Sequence, residues 1–278
     1  MTISASLVLF HNDPDIYGAS IRSYLDGCNG KLYVVDNSHV PLSHVLFEHP
    51  RVVYIFSGNN LGFGAGHNLA IARLDGLSDF HLLLNPDITF DPMVLPSLIQ
   101  HMRSELNIGA IMPQVVYANG ELQPLCKLLP SPVDLIFRRF IPFNYFRNRI
   151  NQRYELHKLR QDMPSEIPSL SGCFLLVRTS IFLGMGGFDE RYFMYMEDVD
   201  LVRRIGDLAL TVYDPSVSVT HEYAKGSYRS KKLLVYHLTS AMKYFWKWGW
   251  IYDPIRTSRN RQTLASIQRT SIMNLEKF

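Results

Sequence analysis

Cysteine is scarce in this sequence, with three among 278 residues (Cys28, Cys126, Cys173) and no pair at C-x-x-C spacing. That excludes a disulfide framework and a thiolate zinc site, and points to reduced thiols in a cytoplasmic setting. Cys173, within Gly172-Cys173-Phe174-Leu175, reads as a small buried apolar residue. No uninterrupted apolar run is long enough to span a bilayer. The apolar start Ile3–Phe10 lacks the basic n-region of a signal peptide and reads as a first strand. No Gly-x-Ser-x-Gly elbow, P-loop, internal repeat or low-complexity tract is present.

What remains is an ordinary globular composition, 47% hydrophobic and 19% charged. A chain of this length buries a sizeable core as one α/β domain with an appendage, or as two small domains. The net charge of +3 is unevenly placed. Residues 231–278 hold nine Lys/Arg against Asp253 and Glu276, and residues 127–160 hold eight against Asp134 and Glu155. The rest of the chain is therefore net acidic. Two basic surfaces on an acidic body suit anionic lipid, diphosphate or nucleic acid.

Taken in order, Ala5–Phe10, Lys31–Val35, Val52–Phe56 and His81–Leu84 read as strands, the first, third and fourth each followed by a helical stretch. Asp13-Pro14 suits the cap and first position of a helix reaching about Tyr24. Asp91-Pro92 starts another, to about Ser104. This alternation predicts a largely parallel, right-handed sheet that binds ligands beyond the carboxyl ends of its strands. Every polar motif in this half falls at such an end: His11-Asn12, Asp36-Asn37-Ser38, Asn60-Leu61-Gly62 with Asn68, and Asn85-Pro86-Asp87. Ile108–Val116 is a further strand, Asn119-Gly120 a hairpin turn, and Ser169–Arg178, Leu210–Tyr213 and Ser218–His221 more strands, with Thr179 capping a short helix. Residues 127–168 break the pattern and read as a long loop. From Leu233 the spacing is helical, with Leu234, Leu238, Met242, Phe245 and Tyr252 on one side and Lys243 and Lys247 on another.

The stretch with most chemical content is Gly186-Gly187-Phe188-Asp189-Glu190, followed by an aromatic turn and Glu197-Asp198-Val199-Asp200-Leu201-Val202-Arg203-Arg204. Glycine ends one helix and acids suit the start of the next. Asp200 and Arg204, at i,i+4, read as a surface ion pair. Glu197 and Asp198 follow aromatics, so their backbone belongs to a half-buried wall, and a carboxylate there can accept a proton from a bound hydroxyl. Asp36 alone fits either a dinucleotide or a sugar-nucleotide site. The glycine-rich loop, however, comes after the third strand and not the first, which argues against a dehydrogenase. Asn85-Pro86-Asp87 is either a plain turn or a one-carboxylate site for Mg²⁺ or Mn²⁺ that needs a further ligand. His221 is a candidate for it, followed by Lys225, Ser227 and Arg229, donors suited to pyrophosphate. His39, His44 and His49 read as surface residues.

Together, VVDNS, Asn60-x-Gly62 with Asn68, LLNPD, SGCFLLVR, GGFDE, EDVDLVRR and His221 resemble the inverting family 2 glycosyltransferases, and their rhamnosyltransferase-like members especially, over about residues 3–230. The resemblance implies a GT-A fold: a Rossmann-like, mostly parallel sheet flanked by helices, here with a C-terminal helical extension. It divides the chain into a glycosyltransferase domain at 1–230 (nucleotide-sugar half about 1–105, acceptor half about 106–230) and a basic amphipathic tail at 231–278. It implies a divalent cation held by Asp87 and His221, Asp198 as base with Glu197 orienting acceptor or base, and Asp36 on the nucleoside. The donor side would comprise His11, Asn12, Asp36, Asn60, Gly62, Asn68, Asn85, Lys225, Ser227 and Arg229. The acceptor side would comprise Gly172, Cys173, Gly187, Phe188 and Asp189. The implied partners are a nucleotide-diphosphate sugar, dTDP-L-rhamnose ahead of UDP-sugars, and a lipid-linked saccharide in cell-surface polysaccharide synthesis.

Lys/Arg beside Trp246, Trp248, Trp250 and Tyr252 suits a helix lying on an anionic membrane, which would place the chain peripherally at the inner face of the cytoplasmic membrane. The same pattern also suits a helix packed on the core, or a subunit interface in a homo-oligomer. Nucleic acid is the weaker partner, since the acidic remainder repels phosphate and no recognised binding motif is present. A catalytically silent sugar-nucleotide binder is the other alternative, against which the intact Asp87, Asp198 and His221 argue.

Overall fold

The computed structural model describes residues 2–74, 78–136, 144–222 and 231–275. Its strands are β1 (Ile3–Leu9), β2 (Lys31–Asp36), β3 (Val52–Phe56), β4 (Phe80–Leu84), β5 (Ile88–Phe90), β6 (Ile108–Val116), β7 (Ser165–Glu166), β8 (Phe174–Arg178) and β9 (Leu210–His221). They form one sheet in the order β3-β2-β1-β4-β8-β6-β9-β5, with β7 pairing β9. Strands β1 to β4 are mutually parallel; β8 reverses, and β6 and β9 return to the first direction. Only β5, β7 and β8 run against the rest, so the sheet is mostly parallel, as expected.

The helices are α1 (Pro14–Gly27), α2 (Phe63–Ile71), α3 (Val94–Ser104), α4 (Pro132–Leu135), α5 (Asn144–Tyr154), α6 (Thr179–Gly184), α7 (Glu197–Ile205), α8 (Lys231–Trp248) and α9 (Pro254–Leu275). Helix α1 starts where Asp13 accepts from the Asp15 N–H and Pro14 presets the first turn. Its buried Tyr17, Ile21, Tyr24 and Leu25 lie on one face. Both faces of the sheet are covered, which explains strands that are mostly apolar, the exceptions Ser4, Ser6 and His81 of β1 and β4 being buried and hydrogen-bonded to one another. Strand alternation sorts them: Leu82 and Leu84 join α1 and α3 in one core, while Leu83 joins α6, α7 and α8 in another.

Several details differ from the sequence reading. The strand read from Ser169 begins at Phe174. Residues 210–221 form one strand, bulged where Pro113 and Gln114 face it, and β5 was not foreseen. Arg178, not Thr179, occupies the cap of α6. The Asn119-Gly120 turn closes a single bridge, Val116 to Leu122, and not a hairpin of strands. The long loop at 127–168 contains α4, α5 and β7.

The tail is two helices, because Gly249 at φ 102° breaks the first and Pro254 opens the second. Its buried face is Ser240, Ala241, Tyr244 and Phe245, whereas Met242 and Tyr252 are exposed. The face is selected by what α8 packs on, the α7 side of the core. Lys247 is no solvent-side charge: its ammonium meets Asp189 at 2.8 Å and Asp200 at 2.6 Å. Of the tail's other cations, Lys243 bonds the Arg191 carbonyl, Arg256 those of Pro130 and Ile251, and Arg259 reaches Asp207. The basic surface read from composition is thus partly consumed inside the fold. Among the described residues no helix is long and apolar enough to cross a membrane.

Candidate active site

Two loops and one helix start meet beyond the carboxyl end of β4. The Asn85-Pro86-Asp87 loop is fixed on three sides: Asn85 N–H donates to the Cys173 carbonyl at 2.8 Å, the Ser20 hydroxyl donates to the Asn85 carbonyl, and Glu222 N–H donates to the Asp87 carbonyl. The last contact joins the loop to the end of β9 and brings His221 beside it. Gln123 then sets the imidazole. Its Nε2 donates to the His221 carbonyl at 3.0 Å, which turns Oε1 towards His221 Nδ1 at 2.9 Å. In the neutral ring the proton therefore sits on Nδ1 and Nε2 is an electron-pair donor. It lies 3.2 Å from Asp87 Oδ1, a buried oxygen that accepts no hydrogen bond.

Two electron-pair donors side by side suit a shared cation. Among the described residues no group of three or more His, Cys, Asp or Glu side chains gathers to hold one alone. Asp87 and His221 fit an ion that takes its remaining ligands from a diphosphate and water, as Mg²⁺ and Mn²⁺ do.

Across the cleft, α7 begins after two consecutive non-glycine residues in the left-handed region, Tyr195 and Met196, both at φ 67°. Such backbone is strained and is held by its surroundings. It aims the next two side chains at the cleft. Asp198 is half-buried; its Oδ2 accepts from Gly172 N–H at 3.2 Å and its Oδ1 from Val199 N–H at 2.8 Å. Glu197 is 6% exposed and its Oε2 accepts nothing. Burial, helped by the neighbouring charge of Asp198, pushes its carboxyl up to about 8. Asn85, Gly172, Cys173, Glu197, Asp198 and His221 all line one cavity of about 1130 Å³. Burial likewise pushes the Cys173 thiol up to about 12, so it is the inert apolar residue expected.

The other expected residues behave differently. Asp36 is fully buried, and Ser38 N–H, Leu42 N–H and the Tyr54 hydroxyl occupy its oxygens. Although burial works against it, these bonds hold its carboxyl below the usual carboxylate range. In this structure it braces the 37–42 loop. Asn68 is spent on Phe188, accepting its N–H and donating to its carbonyl, each at 2.9 Å. That clamp holds the Gly187 turn, where φ is 71° and a Cβ would meet Asn68 at 2.4 Å. Asn60 accepts from Gly62 N–H, and Gly62, at φ 87°, passes so close to the Phe193 carbonyl that no Cβ fits. These three residues therefore join the α2 start to the wall before α7. Phe188 is core, and Asp189 is bound by Arg191 and Lys247. His11 and Asn12 form the turn after β1, where Asn12 accepts from Phe10 N–H and the Ser38 hydroxyl from His11 N–H. Lys225, Ser227 and Arg229 lie outside the described residues.

The expected surface pair is also corrected: Asp200 is completely buried and accepts from Arg204, Lys247, Trp248 and, at 3.5 Å, Tyr192. Gln123, which orients His221, was missed because it belongs to no motif; only its place just past the β6 turn marks it.

A mostly parallel sheet with helices on both faces is the architecture of the GT-A fold. The family model for glycosyl transferase family 2 matches residues 8–183, and the chain belongs to that family. Over 194 residues it is 35% identical to the N-acetylglucosaminyl-diphospho-decaprenol L-rhamnosyltransferase of Mycobacterium tuberculosis, covering 66% of this chain and 62% of that protein. Over 263 residues it is 27% identical to rhamnosyltransferase WbbL of Escherichia coli K12, covering 89% and 94%. The chain thus spans less than two thirds of the mycobacterial relative. Among solved structures, GalNAc-T7 with UDP, GalNAc and Mn²⁺ superposes with a TM-score of 0.58 at 11% identity, over 80% of this chain and 44% of that one, a likeness of fold.

Proposed function

We propose that this chain is an inverting glycosyltransferase that moves L-rhamnose from dTDP-L-rhamnose onto a lipid-linked saccharide, in the synthesis of a cell-surface polysaccharide, at the inner face of the cytoplasmic membrane. The observation that carries the reading is one cavity lined by both Asp198 and His221, with Asp87 3.2 Å from the histidine ring. The acceptor hydroxyl gives its proton to Asp198 as its oxygen bonds to the sugar's anomeric carbon. The bond from that carbon to the diphosphate breaks with its electron pair, so the configuration inverts. A divalent cation at Asp87 and His221 would supply charge neutralisation at the departing diphosphate. Glu197, carrying its proton at neutral pH, donates a hydrogen bond to the acceptor and leaves Asp198 as the base. The exposed Trp246, Ile251 and Tyr252 support contact with the membrane that carries the acceptor.

A donor screen by thermal shift tests the reading. dTDP-rhamnose with Mn²⁺ is expected to raise the melting temperature most, and Asp87→Ala to abolish the Mn²⁺-dependent part. A larger shift with UDP-sugars would replace the donor, and equal shifts in Asp87→Ala would remove the cation role.

A further inference from the structure

Phe63, Tyr117 and Tyr195 bring aromatic rings to the cavity that holds Asp198. Phe63 is set beside the chemistry by Gly172. A Cβ at Gly172 would lie 3.2 Å from the Asp198 Cβ and 3.4 Å from Phe63 Cε1, so the carboxylate side chain and the ring both pack against this glycine. Its N–H donates to Asp198 Oδ2 at 3.2 Å, and one residue thus orients the base and flanks the ring. The seat of the ring is rigid. Phe63 opens α2, and its N–H donates to the Phe193 carbonyl at 3.1 Å, in the segment leading to α7. At the next residue, Gly64, a Cβ would meet that of Phe188 at 2.9 Å, so the helix start sits hard against the core. Against the ring lie His67 at 4.5 Å and Phe188 at 5.9 Å, both edge-to-face. Ser6 Oγ holds His67 Nδ1 at 2.6 Å, and burial pushes that imidazole down to about 3, so a neutral partner backs the ring.

Phe63 is nevertheless only half-buried, and what the core leaves uncovered lines the cavity. An aromatic plane in a cleft suits the face of a pyranose ring, where C–H groups form an apolar patch between equatorial hydroxyls. Stacking there holds the sugar without occupying its hydroxyls, which stay available to polar groups that fix its orientation. A sugar laid on Phe63 has Gly172 beside it and Asp198 next to that, so a ring hydroxyl is delivered to the base. We propose that Phe63 is the platform for the acceptor's sugar ring, selecting cyclic sugars whose reacting hydroxyl projects from the ring edge towards Asp198. This role rests on the glycosyltransferase reading of the cleft and assigns acceptor selection within it to one residue.

Saturation-transfer NMR on the whole chain tests it, with dTDP and Mn²⁺ present and the methyl β-D-glucopyranoside and β-D-galactopyranoside as probes. D-glucitol, which has the hydroxyls without the ring, is the control. The wild type is expected to bind a pyranoside and not glucitol. Phe63→Leu, still apolar at the core edge, is expected to weaken that binding roughly tenfold and leave dTDP affinity unchanged. Phe182, fully buried in the same core, does not line the cavity. Phe182→Leu should lower the melting temperature yet keep pyranoside binding. Glucitol binding as tightly as the pyranosides, or no pyranoside binding at all, would overturn the platform, as would equal binding in wild type and Phe63→Leu. Equal losses in the two variants would mark a loosened core, and lost dTDP affinity in Phe63→Leu would move the ring to the donor; either overturns it. In each of those cases, transfer from dTDP-rhamnose by the wild type would leave the transferase reading standing. Phe63-dependent pyranoside binding by a wild type that transfers no rhamnose would sustain the platform and defeat that reading.

Discussion

Helix α7 carries three carboxylates in its first turn and uses them in two opposite ways. On its rear face Asp200 accepts from four side chains, three of them within 2.8 Å. One turn on, Arg203, 1% exposed, makes a two-pronged pair with Asp253 at 2.7 and 2.9 Å and stacks 4.1 Å over Trp248. On the cleft face Asp198 has two backbone donors, and Glu197 has an oxygen with none. The same residue type is structural where donors saturate it and chemically available where they do not. The rear face fixes the helix to the tail, and that rigidity permits the strained turn and the poorly solvated acids in front.

The widest separation between the faces is expected in rate. Asp198→Asn keeps an acceptor for Gly172 N–H but cannot take a proton, so transfer should fall roughly 10²–10⁴-fold. Nucleotide affinity and melting temperature should stay near the wild type. Substantial residual transfer would shift the base to Glu197 and erase the contrast between the two faces. Next comes stability. Arg203→Ala leaves Asp253 buried without its partner, and breaking such a pair costs about 3–5 kcal/mol. Urea unfolding reads this directly; a loss under about 1 kcal/mol, the range of exposed pairs, would mean that the rear face does not anchor the helix.

How much of this contrast the sequence carried depends on how local each cause is. Strand–helix alternation placed β1 to β4 and their loops, because burial on both faces leaves mostly apolar runs with the polar motifs gathered at their ends. Gly186-Gly187 and the acid run marked the start of α7, since helix ends are set by neighbours in sequence. That Asp200 would be buried depended on Lys247 and Trp248, more than forty residues away, and i,i+4 spacing with Arg204 suggested a surface pair. Position at a strand end did not tell that protein groups far along the chain would also engage Asp36 and Asn68, Tyr54 in the one case and Phe188 in the other. The helices within 127–168 were hidden for a related reason: α4 and α5 lean on the 127–128 segment and α8, not on any periodicity strong enough to read. Gln123 had no signal at all until β9 brought His221 to it.

The smallest effect concerns protons. Glu197 rises from an ordinary 4.5 to about 8 in the folded chain, through burial and then the charge of Asp198. Between those values the folded chain holds a proton that the unfolded chain has released, so stability contributed by this group falls as pH rises from about 4.5 through 8. Glu197→Gln, neutral in both states, should remove that decline and be the more stable protein at pH 8.5. Asp198→Asn takes away the second cause only, so the decline should persist but its upper end should move to lower pH. Urea midpoints of the three proteins between pH 5 and 9 check this. Parallel curves for wild type and Glu197→Gln would show that the cleft-face glutamate ionises as readily as one in water, and the unsaturated face would then differ from the rear face in geometry alone.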